Sequence, residues 1–201
     1  MPKPHNAVLA ALGLNSLSKD MLQVTPKVNR LHQYWLGLAQ QHAAATGSPG
    51  LSGSWEAAGE PCAGLPPPPR HLLDPAAILN LLPQVVIVEF EDAPFRVRYR
   101  LTGTWVDDTN GVNLTHAYLD TFDDGINSEA LAPLLMHYRR AWECAAAAIF
   151  HYKWMSLRGS ILDVCCGIFP LTIDGRVRQA IALEEYDLTQ RFDQPLPLRQ
   201  R

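Results

Sequence analysis

The chain has 201 residues, 47% hydrophobic and 18% charged, which is typical of a globular protein with room for one sizeable core. Its net charge of −3 argues against a dedicated nucleic-acid-binding protein, because such proteins usually carry a basic balance or a basic stripe. The apolar run from Val8 to Leu14 is far shorter than the ~20 residues of a membrane span. We therefore expect a cytoplasmic protein that binds neither nucleic acid nor membrane.

The cysteines favour a reducing environment. They are Cys62, Cys144, Cys165 and Cys166, and none belongs to a CxxC motif. Adjacent residues of a strand point to opposite faces, so Cys165 and Cys166 are poor partners for one metal ion. Four cysteines in a chain of this length also disfavour a disulfide framework. We predict reduced thiols and no metal site.

The first predicted element is a helix over residues 25–45, preceded by a flexible arm at 1–24. Thr25 is a suitable cap, and Pro26 suits the first helical position. An apolar stripe recurs at helical spacing, at Val28, Leu31, Trp35 and Leu38. This stripe has to be buried, either on the chain's own sheet or against a second copy across a two-fold axis.

Residues 46–69 are rich in Gly, Pro, Ser and Ala and show no periodicity. We interpret them as a linker or insert that ends in an extended polyproline segment at 66–69. A proline-rich ligand for a partner domain is the alternative interpretation. The main domain is predicted to follow at 70–187, and a loose tail to occupy 188–201.

The main domain begins with a short helix, which Asp74 and Pro75 start and Pro83 ends. Strands predicted at 85–92 and 95–103 form an antiparallel hairpin around a tight turn at Ala93-Pro94. One face of the second strand carries Phe95, Val97, Tyr99 and Leu101, and the other carries Arg96, Arg98 and Arg100. Cross-strand ion pairs with Glu89 and Glu91 are the expected use of these arginines, and an acidic partner or nucleotide is the alternative.

Turns and short helical pieces are predicted at 104–126, and a long helix begins at Asn127. Three strands follow, at 148–157, 161–173 and 177–186, separated by Gly159 and by Asp174-Gly175. The order is strand, strand, short helices, long helix and three strands. This order predicts an α+β domain with a five-stranded antiparallel sheet.

This order resembles the PAS fold, and the motifs resemble a PAS-like family of proteobacteria that was formerly a domain of unknown function. The matching residues, in chain order, are Tyr34-Trp35, Asp74-Pro75, Leu82-Pro83, Arg98 to Thr104, Gly111, Pro170-Leu171, Asp174-Gly175 and Val177. The resemblance covers residues 25–187, interrupted by the 46–69 segment. It implies short helices and one long helix on one face of the sheet, plus the N-terminal helix.

The resemblance also implies a pocket between the sheet and the short helices. Gly103 would let the chain turn sharply away from the sheet edge. Asp107 and Asp108 would then be surface or capping residues. No common catalytic motif is present in the sequence, so we predict no catalytic residues.

Aromatic residues supply the apolar surface that such pockets use, although filling the core is their commoner role. The set comprises Tyr99, Trp105, Tyr118, Phe122, Trp142, Phe150, Tyr152 and Trp154. From it, together with one histidine, we predict a ligand site formed by Tyr99, Trp105, Tyr118, Phe122, His137 and Trp142. A haem would need an axial histidine such as His116 or His137, and the cysteine motif of photoactive flavin proteins is missing. We predict no cofactor.

The function implied by the resemblance is a stand-alone sensory or regulatory module that is not an enzyme. It would bind a small ligand or a protein partner and respond by a shift between conformations. The predicted partners are a second copy through the N-terminal helix, an unidentified signalling protein and a small molecule. Two alternatives remain: a small-molecule enzyme with Asp107 or Asp108 beside His116 in a polar cavity, and an interaction domain with a filled core.

Overall fold

The computed structural model of the chain describes residues 24–47, 55–57, 60–62, 65–123, 127–156 and 161–187. Its helices are α1 (Pro26–Thr46), α2 (Thr104–Asn110) and α3 (Ser128–Cys144). A separate hairpin consists of β1 (Trp55–Ala57) and β2 (Glu60–Cys62). The main sheet consists of β3 (Val85–Asp92), β4 (Phe95–Thr102), β5 (Ala148–Met155), β6 (Ile161–Ile173) and β7 (Arg176–Asp187).

The main sheet is antiparallel throughout, in the order β4-β3-β7-β6-β5. The predicted α+β, PAS-like fold with an N-terminal helix is therefore confirmed. Its long hairpin from β6 to β7 turns at Asp174 (φ 51°) and Gly175 (φ 74°). Two successive positive φ angles suit a tight hairpin turn, and aspartate and glycine are among the residues that tolerate them.

Both faces of the sheet are covered. The inner face, which bears Val88, Tyr99, Val164 and Ala182, packs against α2, α3 and the short 3₁₀ helix Leu119–Phe122. The outer face, which bears Ile87, Phe169, Ile181 and Leu183, packs against α1 and the segment around Ile78 and Leu81. Successive residues of β7 alternate between these two cores, as the pleat of a strand requires.

The apolar stripe of α1 lies on the chain's own sheet. Val28 and Leu31 are completely buried there, and Trp35 is 3% exposed. The Trp35 indole N–H donates to the carbonyl oxygen of Pro170 at 2.8 Å, which fixes the helix over β6. Ala39 is buried in the next turn, whereas the predicted stripe residue Leu38 is only partly buried.

The predicted helix at Asp74 is instead two short 3₁₀ turns, Pro75–Ile78 and Leu82–Gln84. The Asp74 carboxylate accepts a hydrogen bond from the Ala76 amide at 2.9 Å, so the predicted cap is present. The Asp74 amide in turn donates to the Tyr34 hydroxyl at 2.7 Å. This bond ties the segment to α1.

Gly103 has a different role from the predicted one. Its backbone (φ −70°, ψ 153°) is accessible to every residue type, so no special conformational freedom is used. A Cβ atom at this position would lie 2.3 Å from the Pro83 carbonyl oxygen and 2.5 Å from that of Leu82. Glycine is therefore needed because two backbone segments approach closely where β4 leads into α2.

β4 departs from simple alternation at its end. An irregularity between Ile87 and Val88 shifts the register between β3 and β4. As a result Leu101, which alternation places on the buried face with Tyr99, is 49% exposed. The strand ends at Thr102, one residue earlier than predicted.

The cysteine prediction holds for two positions. Cys165 and Cys166 are free and buried, and they lie in the outer and inner cores respectively. Cys144 is disulfide-bonded, so the prediction of a reduced thiol is wrong at that position. No helix within the described ranges is both long and apolar enough to cross a membrane.

The arm at 1–23 and the tail at 188–201 lie outside the described residues, as does much of the predicted 46–69 linker. Within that linker, the β1–β2 hairpin was not expected from the sequence. Its polyproline end is extended at Pro69 (φ −61°, ψ 142°), and the Pro68 carbonyl accepts from the Thr172 amide at 3.1 Å. This end therefore lies beside β6.

Candidate functional site

A small cavity lies between the inner face and the helical side, with a volume of about 20 Å³. That is roughly the space of one water molecule. Its aromatic lining comes from β4, β5 and the 3₁₀ helix before α3, through Tyr99, Phe122, Tyr152 and Trp154. Its polar lining consists of Asn110, Asn127 and Glu184.

Glu184 is the most unusual of these residues. It belongs to the central strand β7, shares the inner face with Ala182 and Tyr186, and is 6% exposed. The hydroxyl of Tyr152 donates to its carboxylate at 3.1 Å, and the hydroxyl of Tyr186 donates to the other carboxylate oxygen. Burial raises the pKa of Glu184, while these two hydrogen bonds act in the opposite direction.

Further polar groups surround this carboxyl group inside the core. Tyr99, Tyr138 and Cys166 all interact electrostatically with Glu184, and burial raises the pKa of each well above its usual range. Tyr138 is completely buried, and its hydroxyl has no hydrogen-bond partner among the described residues. The phenols and the thiol therefore stay neutral at physiological pH.

Asparagine side chains hold the helical side of the cavity. Asn110, 5% exposed, donates to the Val106 carbonyl at 2.9 Å and accepts from the Trp154 indole N–H at 3.1 Å. Asn127 donates to the Met155 carbonyl at 3.1 Å and accepts from the Met155 amide at 2.8 Å. Both side chains thus connect the start or end of a helix to the edge strand β5.

Tyr99 and Phe122, of the six predicted ligand residues, line the cavity. The ring of His137 stacks on Phe150 with centroids 3.9 Å apart, and Trp142 packs on Phe95 at 5.1 Å. Trp105 lies on α2 and is 40% exposed. None of these last contacts reaches the cavity, so a ligand role for the remaining residues stays a prediction.

Tyr118 belongs to a polar surface network rather than to the cavity lining. Its hydroxyl donates to Glu91 at 2.8 Å, and the Arg96 guanidinium lies 3.6 Å from the centre of its ring. Arg96 makes two hydrogen bonds of 2.7 Å to Asp120. The expected cross-strand ion pair is present between Arg98 and Glu89.

The acidic residues after β4 act locally. The Asp107 carboxylate accepts from the Thr102 hydroxyl at 2.6 Å and from the Leu114 amide at 3.1 Å, so it holds the loop that follows α2. Asp108 and His116 are exposed. None of the three lines the cavity.

Sequence reasoning missed Glu184 and Asn110, and it did not select Tyr152 and Trp154. For Glu184 a signal was available. In the apolar strand around "AIALEEY" (180–186), Ala180, Ala182 and Glu184 share one face. An acidic residue in a strand that is apolar on both faces indicates a buried carboxyl group. Across the residues that the structure describes, no three His, Cys, Asp or Glu side chains are arranged to hold a metal ion.

Residues 25–148, more than half of the chain, match the family model described as PAS domain. The PAS domain of an HTR-like protein from Haloarcula marismortui is 12% identical, over 56% of this chain and 91% of that one, with a TM-score of 0.38. An RNA-binding Light-Oxygen-Voltage receptor is 13% identical, over 90% of this chain and 62% of that one, with a TM-score of 0.41. No curated protein matches the chain in sequence.

Proposed function

Since the chain belongs to the PAS domain family, we propose that it is a sensory or regulatory module that binds a small ligand in the cavity on the inner face. The observation that carries this proposal is the convergence of polar side chains on a cavity walled by aromatic rings. Burying a carboxyl group opposes folding unless it is well hydrogen-bonded. Aromatic walls with a few converging polar groups are the usual lining of a ligand site, although such sites are generally much larger than this cavity.

The central strand β7 offers a route from the cavity to the other side of the sheet. Glu184 faces the cavity, and the carboxylate of its neighbour Glu185 accepts from the Lys27 amide in the first turn of α1 at 3.3 Å. A carboxylate is favourable at this end of a helix because the helix dipole is positive there. A ligand that changes the geometry of β7 would thereby change how α1 sits on the outer face, as a population shift requires.

One experiment tests the ligand-binding function directly. The purified full chain is measured by native mass spectrometry, and an absorption spectrum is taken from the same sample. Extra mass that is released on denaturation supports the proposal. Visible absorption would contradict the prediction that no haem or flavin is bound. A protein that shows only its own mass, and that gains none after incubation with a library of small metabolites, would contradict ligand binding.

A ligand-free interaction domain is the second candidate, and the small volume of the cavity, about 20 Å³, favours it. The same mass measurement separates the two. The alternative of an enzyme depended on Asp107 or Asp108 beside His116 in a polar cavity, and none of these residues lines the cavity. We therefore propose a module without catalytic activity of its own.

A homodimer through α1 remains part of the proposal. The apolar stripe that motivated it is covered by the chain's own sheet, so a second copy would have to contact the opposite side of α1, where Arg30 and Gln33 are exposed. Light scattering after size-exclusion chromatography measures the mass in solution. A monomer at all concentrations would contradict the dimer and leave ligand binding untouched.

A further inference from the structure

The four aromatic side chains that line the cavity are linked by three successive edge-to-face contacts. The rings of Tyr99 and Phe122 meet at 75° with centroids 6.4 Å apart, those of Phe122 and Trp154 at 70° and 6.1 Å, and those of Trp154 and Tyr152 at 88° and 6.4 Å. Rings at such angles meet edge to face rather than in a parallel stack. The faces of aromatic rings are electron-rich and attract cations.

The same cavity has an acidic group without a cationic partner. Glu184 is its one acidic lining residue, and no Lys, Arg or His is among the described residues that line it. When Glu184 is ionised, the two hydrogen bonds from Tyr152 and Tyr186 stabilise the carboxylate but leave its charge uncompensated. Asn110 and Trp154 are hydrogen-bonded to each other, so their polar atoms are already engaged.

We infer that the cavity is a site for a small alkylammonium cation, whose positive head group lies between the aromatic walls and the Glu184 carboxylate. This inference rests on the proposed ligand-binding function. A cavity of about 20 Å³ accepts a single ammonium-sized head group, and the alkyl part of the cation has to displace a wall. Phe122, on a short 3₁₀ helix, belongs to the wall on the helical side.

Binding of a cation to this site is coupled to a proton. Without a cation, burial raises the pKa of Glu184, whereas a bound cation favours its ionised form. The titratable groups that interact with it are Tyr99, Tyr138, Tyr152, Cys166 and Tyr186, and all are held neutral by burial. Ammonium binding should therefore tighten as the pH rises through the titration of Glu184, and alcohol binding should not.

The test compares methylammonium and ethylammonium with methanol and ethanol. The full chain is titrated with each compound, and binding is followed by NMR through the indole N–H signals, one of which belongs to Trp154 in the cavity wall. Dissociation constants in the millimolar range are expected, because so few ligand atoms contribute. We expect the ammonium ions to bind about tenfold more tightly than the alcohols, since a hydrogen bond to a charged group is stronger than a neutral one.

Two pairs of variants locate the effect. Glu184→Gln should abolish the preference for ammonium, while Glu185→Gln, a neighbour on the opposite face of β7, should keep it. Phe122→Leu should weaken ammonium binding more than alcohol binding, while Phe95→Leu, outside the lining and packed on Phe90 and Trp142, should change neither. If Glu184→Gln does not fold, Phe122→Leu and the pH series on the unmodified chain still test whether the cavity binds ammonium.

Each outcome has a defined meaning. A preference for ammonium that depends on Glu184 supports the inference. Equal or better binding of the alcohols, or a preference that survives in Glu184→Gln, overturns it and leaves the proposed ligand-binding function standing. No binding of either class up to about 100 mM, far above the expected millimolar range, overturns the inference. The mass measurement described above then decides separately whether any ligand binds.

Discussion

The two faces of the main sheet are built from different chemistry on the same strands. The outer core contains Val28, Leu31 and Phe169, all fully buried and apolar. The inner core contains a buried carboxyl group, several phenols and a cavity. In β7, Ile181 and Leu183 belong to the outer core, whereas Ala182 and Glu184 face inward. The outer core is thus apolar throughout these positions, whereas the larger inner core combines apolar packing with a buried carboxyl group.

The largest expected effect comes from removing the anchor of the outer face. Trp35→Ala deletes a buried indole and leaves the Pro170 carbonyl without its donor. We expect the free energy of unfolding to fall by about 3–5 kcal/mol, as for other buried tryptophans. Chemical denaturation measures it. Trp105→Ala is the matched control, and because Trp105 is 40% exposed its change should stay within about 1 kcal/mol.

Trp105→Ala also tests the ligand site predicted from the sequence. If Trp105 contacts the ligand, the variant should bind less tightly although it remains stable. Unchanged affinity, measured with whichever compound the unmodified chain binds, would remove Trp105 from the site and favour the cavity residues instead.

The junction between the two faces gives the next largest effect. Gly103→Ala would place a methyl group 2.3 Å from the Pro83 carbonyl oxygen. The Pro83 backbone cannot move aside without disturbing the 3₁₀ turn Leu82–Gln84. We expect a loss of about 1–3 kcal/mol. Gly37→Ala is the control, because Gly37 lies within α1 and no atom lies within 4 Å of the new Cβ. This substitution should raise the free energy of unfolding by about 0.5–1 kcal/mol. Similar effects of the two substitutions would contradict the close-approach explanation.

Much of the fold could be predicted from the sequence, because residues of the motifs that resemble a known family contact one another between distant segments of the chain. Tyr34 bonds to Asp74, Trp35 bonds to Pro170, and Gly103 packs on Pro83. Each pair joins two short motifs that lie far apart in the chain. Their order and spacing therefore indicate the arrangement of the sheet and of α1.

The residues that line the cavity could be predicted from the sequence much less completely. A ligand-lining role depends on which side chains meet at one point, and that is a property of packing rather than of local pattern. Tyr99 was found because its strand alternates clearly, whereas Asn110 lies in a helix whose side-chain directions the sequence left open. Tyr118 was selected for its irregular surroundings, yet its hydroxyl bonds to Glu91 on the surface network.

Glu184 faces the inner core and its neighbour Glu185 faces the outer side. Removing the charge of each residue in turn therefore compares how the two faces contribute to the pH dependence of stability. The folded-state pKa of Glu184 is raised, so its proton is bound more tightly in the folded state. Stability should then decrease as the pH rises from the usual glutamate range through the raised pKa, by ~1.4 kcal/mol for each pH unit between the unfolded-state and folded-state pKa values. Glu184→Gln should remove this decrease, and Glu185→Gln should retain it. Denaturation curves from the acidic range to mildly alkaline pH provide the comparison.

The smallest effect concerns His137, which packs on the edge of the inner core against Phe150. Burial, followed by the nearby Arg140, lowers the pKa of His137 to about 4. The neutral imidazole is therefore favoured in the folded state, and the stability that this provides is present above pH ~6.5 and is lost as the pH falls towards 4. Partial exposure of the side chain reduces the size of the effect. His137→Gln should lower stability at neutral pH but flatten its decline below pH ~6.5, whereas His71→Gln, at an exposed position, should leave the decline unchanged. If both variants declined like the unmodified chain, the acid sensitivity would have to come from the carboxyl groups instead.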